Sequence, residues 1–136
     1  MTATPQNIAV PVQQGETLAP TEAAETVRLW IDTHVHLHEQ HDAEVFLDTA
    51  AAHFVAAGAG IGVLCLTDVQ GVDGLARLAD AGSLGGWTIE RVGEFALRAL
   101  HHDGMTIGLI AGRQIKCDNG LEVVSMGRPV DIADGR

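Results

Sequence analysis

The sequence contains no Tyr, and its two Trp and three Phe make aromatic residues 4% of 136. A core of this composition rests on aliphatic and small side chains, among them 16 Gly. Basic residues are equally scarce: 8 Lys and Arg stand against 18 Asp and Glu, a net charge of −10 with His neutral. No run of Lys or Arg occurs, so binding nucleic acid by neutralising phosphates is excluded as a first reading. The two Cys, Cys65 and Cys117, form no CxxC pair and no disulfide framework, and are expected as reduced, buried or half-buried thiols. No eighteen-residue apolar run and no basic, apolar leader are present, which gives no membrane span and the expectation of a cytoplasmic protein. The apolar fraction of 46% argues against disorder throughout, and the length allows one domain.

Residues 1–27 mix Pro5, Pro11 and Pro20 with Gln, Thr and Glu, without sustained periodicity, and are expected as a mobile leader. From Arg28 onward apolar runs alternate with amphipathic segments. Arg28–His36 predicts a buried strand. Asp42 is positioned to cap a helix over Ala43–Ala57, in which Phe46, Leu47, Ala50, Ala51, Phe54 and Val55 recur at helical spacing. Ile61–Thr67 predicts a central parallel strand. After a weak helical segment at Val72–Ala81, Thr88 is read as the cap of a second helix with Val92, Phe95, Ala96, Ala99 and Leu100 on its buried stripe. Met105–Ala111 predicts a third strand. Arg113–Cys117 and Leu121–Met126, separated by Asp118-Asn119-Gly120, predict a hairpin. The resulting class is α/β, with about three parallel βα units and a terminal hairpin.

Reactive side chains in parallel sheets collect at the carboxyl ends of strands. His34, His36, Asp68 and Gln114 all fall at such ends. In Asp32-Thr33-His34-Val35-His36-Leu37-His38 the three His alternate, so an extended backbone directs them to one side, where two imidazoles can share a metal ion. Asp32 is in phase to orient one of them. Asp68 reads either as a solvated turn residue or as a carboxylate joining that site. His41 and His53 read as surface residues, and His101-His102 as favourable charges at the end of the second helix.

These segments together resemble the PHP (polymerase and histidinol phosphatase) family: Asp32-Thr-His-Val-His36, a strand ending Leu66-Thr67-Asp68, and Gly112-Arg113-Gln114-Ile115 before a hairpin running to Gly127. The resemblance spans about residues 29 to 127. It implies a distorted (β/α) barrel that binds divalent metal ions (zinc, manganese or iron) and hydrolyses phosphoesters, with a phosphorylated small molecule as substrate. On that reading His34, His36, Asp68 and Gln114 are metal ligands and Asp68 is catalytic. Two departures stand out: Val69 replaces the His of Thr-Asp-His, and Gln114 replaces a metal-bridging Glu, offering an oxygen without charge. A complete barrel of this kind needs ~250 residues, so residues 28–136 are expected to form only its opening part, apparently truncated. Two alternatives stand beside it: a degenerate, non-catalytic binding module, and a TatD-like or amidohydrolase metal-dependent hydrolase, suggested by the similar first strand. Strand edges left open in a partial sheet imply self-association.

Overall fold

The computed structural model describes residues 26–128. Nearly all of the leader assigned to 1–27 lies outside them. The elements are β1 (Leu29–Val35), α1 (Ala43–Ala56), β2 (Ile61–Leu66), α2 (Gly74–Ala81), β3 (Ser83–Leu84), β4 (Trp87–Gly93), β5 (Ala96–His101), β6 (Thr106–Lys116) and β7 (Glu122–Met126). The strands lie in the order β1-β2-β6-β5-β4-β3, with β7 pairing the far half of β6. β1, β2 and β6 are mutually parallel, whereas every pairing beyond β6 is antiparallel.

This architecture corrects the expected partial (β/α) barrel. The described chain is a mixed sheet of seven strands with two helices, not a series of parallel βα units. The decisive difference lies at 87–101, expected as a helix and found as the β4–β5 hairpin. Val92, Phe95, Ala96, Ala99 and Leu100 do recur at helical spacing. The residues that are buried, however, are Trp87 and Ile89 on β4 and Leu97 and Ala99 on β5, two apart within each strand. Period two puts each pair on one face of a sheet; in a helix Trp87 and Ile89 would diverge. The exposed edge of β6 completes the choice by pairing Leu97 with Leu109 and Ala99 with Ile107. His101 therefore ends a strand and His102 follows it, and the helix-end role assigned to them falls. His101 instead meets Trp87 edge-to-face, with ring centroids 4.8 Å apart, and its Nδ1 lies 2.9 Å from Asp103.

Other expectations match closely. Asp42 caps α1, accepting from the Val45 amide at 3.0 Å. α2 occupies most of the weak helical segment and is capped by Asp73, which accepts from Ala76 at 2.9 Å. The Asn119-Gly120 hairpin is present, but the two strands expected before it are one, the eleven-residue β6. β1 is an edge strand and mostly exposed, not buried.

The core gathers on a single face. Leu64 and Leu66 of β2, Ile107, Leu109 and Ala111 of β6, Leu97 and Ala99 of β5 and Trp87 and Ile89 of β4 pack with Leu47 and Phe54 of α1 and Leu75 and Leu78 of α2. Parallel register keeps these residues in phase, because Leu64 pairs with Leu109 and Leu66 with Ala111. Trp87 reaches across this layer and donates its indole N–H to Asp48 at 2.8 Å, which satisfies the one polar atom of a side chain 1% exposed.

At the midpoint of β6 the chain leaves one pairing and enters the next, and there Gly112 runs against β7. A Cβ at Gly112 would lie 2.4 Å from the Ser125 carbonyl oxygen, a backbone atom that cannot swing aside. Gly112→Ala is expected to lower stability by about 1–3 kcal/mol in urea denaturation. Gly93→Ala, whose new methyl would meet only Ala96 Cβ at 3.7 Å, is expected to stay within ~0.5 kcal/mol.

Candidate metal centre

The carboxyl ends of the three parallel strands meet at one margin of the sheet. The Val35 carbonyl accepts from the Thr67 amide at 2.8 Å, and the Asp68 carbonyl accepts from the Gln114 amide at 3.1 Å. An isolated parallel bridge joins Val69 to Gln114. β1 thus delivers His34 and His36, the exit of β2 delivers Asp68, and the second half of β6 delivers Arg113 and Gln114. The register irregularity between Asp32 and Val35 falls beside the first His. There the Asp32 carboxylate accepts from the His34 amide at 3.1 Å, so its contact is with the backbone rather than with an imidazole.

Three of the four residues singled out as ligands converge. His34 Nε2 lies 3.1 Å from His36 Nε2 and 3.3 Å from Gln114 Oε1. Gln114 in turn donates from Nε2 to Glu122 Oε2 at 2.7 Å, which fixes its amide with the oxygen toward the imidazoles. His38 continues the row, stacked on His36 with centroids 5.6 Å apart, and His41 meets His38 edge-on at 5.0 Å. His53 is exposed on α1, as expected.

Asp68 does something else. It is 4% exposed. Its Oδ1 accepts from the Leu37 amide at 3.0 Å and its Oδ2 from the Gly74 amide at 2.9 Å. The carboxylate therefore ties the segment after β1 to the first residue of α2, where the helix dipole favours negative charge. A side chain at position 74 would be incompatible with this, since its Cβ would lie 2.7 Å from Oδ2. Asp68 is neither a solvated turn residue nor in contact with the imidazoles, although its charge reaches His36.

Two contributors escaped the sequence reading. Arg113 is 7% exposed and its Nη1 donates to the carbonyls of Val69 and Val72 at 3.0 and 2.9 Å, holding the β2–α2 loop onto β6. Glu122 is the acid that orients Gln114. The hairpin carried a signal for it, because Lys116 pairs with Glu122 and Gln114 with Val124, which puts 114, 116, 122 and 124 on one face of the two-stranded ribbon.

The His36 imidazole is held below its ordinary value of 6.5, first by burial and next by the neighbouring His34, with Asp68 and Glu122 acting in the opposite direction. Two Nε2 atoms at 3.1 Å are compatible as donor and acceptor, but not as two imidazolium ions. Such a pair suits a cation other than a proton. Ligand nitrogens at 2.0–2.1 Å from a tetrahedral zinc are about 3.3 Å apart, close to both the His34–His36 and the His34–Gln114 separations. Two of the donor separations around His34 thus match the edge of a zinc tetrahedron, with a second imidazole on one side and an amide oxygen on the other. Among the described residues no group of three or more His, Cys, Asp and Glu is placed to hold a metal ion; the third donor here is an amide.

Comparison with known proteins returns nothing: no family model matches the chain, and no curated protein or solved structure matches it. Neither the PHP nor the TatD-like resemblance gains support from it. Among the described residues no helix is long and apolar enough to cross a membrane.

Two outcomes follow from these contacts. Asp68→Asn replaces one accepting oxygen by a donor facing a backbone N–H, and a loss of about 1–3 kcal/mol is expected in denaturant titration. For His36, the lowered folded-state value means that the unfolded chain binds the proton more readily. The metal-free protein should therefore lose stability as pH falls through 6.5, and His36→Gln should flatten that dependence in thermal melts taken between about pH 8 and 5.

Proposed function

We propose that the chain binds a divalent cation at His34, His36 and Gln114 and serves hydrolysis of phosphoesters at that site. The observation that carries the cation is the convergence of two imidazole nitrogens and one oriented amide oxygen at separations close to a tetrahedral edge. The imidazoles select metals of the zinc, manganese and iron class over calcium or magnesium. Glu122 holds the Gln114 oxygen toward the imidazoles and, with Asp68, contributes negative charge at the margin. The chemistry that such a cation supplies is polarisation of a phosphoryl oxygen and acidification of water. Burial and the neighbouring His34 lower the pKa of His36, which favours the neutral ring whose lone pair can coordinate a metal. Hydrolysis is supported by the resemblance of the strand-end motifs to a phosphoesterase family and by the open margin on which they lie.

A second reading is favoured by a specific observation. Both oxygens of Asp68 are taken by backbone amides, and the third cation donor is an uncharged amide. A site so built holds a cation without the carboxylate base that hydrolysis commonly uses, and describes a non-catalytic cation-binding module.

Equilibrium dialysis of chelator-treated protein against zinc, followed by assay with bis-p-nitrophenyl phosphate, separates these readings. Cation binding predicts zinc uptake that the His34→Ala/His36→Ala variant loses, and Glu122→Gln should weaken uptake by about 10–100-fold. The hydrolase predicts zinc-dependent turnover abolished in the double variant, and zinc uptake without turnover leaves the binding module. No zinc, manganese or iron uptake by the unmodified chain would remove both.

A further inference from the structure

We infer that the chain pairs with a second copy of itself through the outer edge of β1, in one antiparallel register centred on Trp30. β1 ends the strand order, and among the described residues nothing pairs its outer side. The Arg28 carbonyl accepts from the Gly60 and Ile61 amides. By the alternation of an extended strand, Arg28, Trp30 and Asp32 direct their backbone groups to β2, and Leu29 and Ile31 direct theirs outward. Edges of this kind are normally guarded by Lys, Pro or a bulge. Between Arg28 and Asp32 there is none, and the register irregularity begins only after Asp32. The side chains are exposed apolar ones instead: Val27 is 57%, Leu29 55%, Trp30 49% and Ile31 53% exposed.

Charge and hydrogen-bond parity select the occupant and the register. Only outward-facing residues can exchange backbone hydrogen bonds with a two-fold mate, so the axis passes through a residue pair. Centred on Asp32, two carboxylates would oppose each other. Centred on Ile31, Arg28 would oppose His34 and Asp32 would oppose Trp30, and centred on Leu29, Arg28 would oppose Trp30 and Asp32 would oppose Thr26, so neither register pairs the two charges. Centred on Trp30, Leu29 and Ile31 become the hydrogen-bonded pairs, Arg28 opposes Asp32 on both sides of the axis, and Trp30 opposes Trp30. The same short segment is thus complementary to itself in charge, in apolar surface and in backbone polarity. The pairing would join two seven-stranded sheets edge to edge. Its single short strand per copy lies at the low end of interface sizes, so association belongs in the micromolar range.

Sedimentation velocity of the full chain from about 1 to about 100 μM is expected to show a monomer giving way to a dimer by mass action. Ile31→Lys should weaken the dimer by about tenfold or more, with circular dichroism checking that the sheet persists. Arg28→Asp should weaken it likewise, and Arg28→Asp/Asp32→Arg should restore it, since only the Trp30-centred register exchanges these two charges. An independent measurement uses a Cys117→Ser background. Opposed residues at a non-hydrogen-bonded position lie about 4.5 Å apart at Cα, so Trp30→Cys should oxidise to a covalent dimer, whereas Leu29→Cys, which faces Ile31, should not. A monomer at every concentration, as when the edge is covered by the chain's own residues outside 26–128, would overturn the inference. So would a dimer indifferent to Ile31→Lys, a charge exchange that fails to restore association, or growth beyond the dimer.

Discussion

A buried carboxylate at the end of β2 organises one whole margin of this molecule. Asp68 accepts one backbone N–H from the segment that leaves β1 and another from the start of α2. It thereby fixes how two otherwise unrelated stretches of chain meet. Leu37, which donates the first of these bonds, is itself 1% exposed and belongs to the core, so the polar tie and the apolar packing reinforce each other. His36 immediately precedes that tie. The position of the imidazoles relative to Gln114 depends on it, as does the short path from β2 into α2 that Arg113 holds from the other side.

The site and the sheet are coupled through β6. Its first half lies in the core between β2 and β5, and its second half leaves the main sheet to pair with β7. Gln114 stands in that second half, where its backbone is still bonded to the exit of β2 and its side chain is already held by Glu122 of the neighbouring strand. One long strand therefore carries both the packing that makes the sheet stable and the amide that faces the imidazoles. At the lateral edge of the sheet β1 has the same double character. Its inner side is paired with β2 and its carboxyl end bears the His pair, while its outer side leaves apolar residues in water.

Much of this was legible in the residues. The cap at Asp42, the parallel strands β1 and β2, the helix between them and the Asn119-Gly120 turn each depend on local signals that the tertiary structure left standing. The convergence of His34, His36 and Gln114 was also legible, because side chains at the ends of adjacent parallel strands are brought together by the sheet itself. The β4–β5 hairpin was not. Its sequence satisfies a helical spacing and an alternating one at once, and the choice rested on the free edge of β6, which no local window contains. Glu122 was missed for a related reason: its role needs the pairing register across the hairpin as well as the presence of a turn.

The sequence by itself determined which side chains stand at the strand ends, the acidic balance, and the small, aliphatic core, since each follows from residue type and spacing. Only the tertiary structure decided that the sheet is mixed, that Asp68 is spent on backbone amides, and that β1 lies at an edge. Those outcomes depend on which strands find each other across tens of residues. Pairing of that kind is settled by the summed burial of a whole face and by the satisfaction of every backbone group within it.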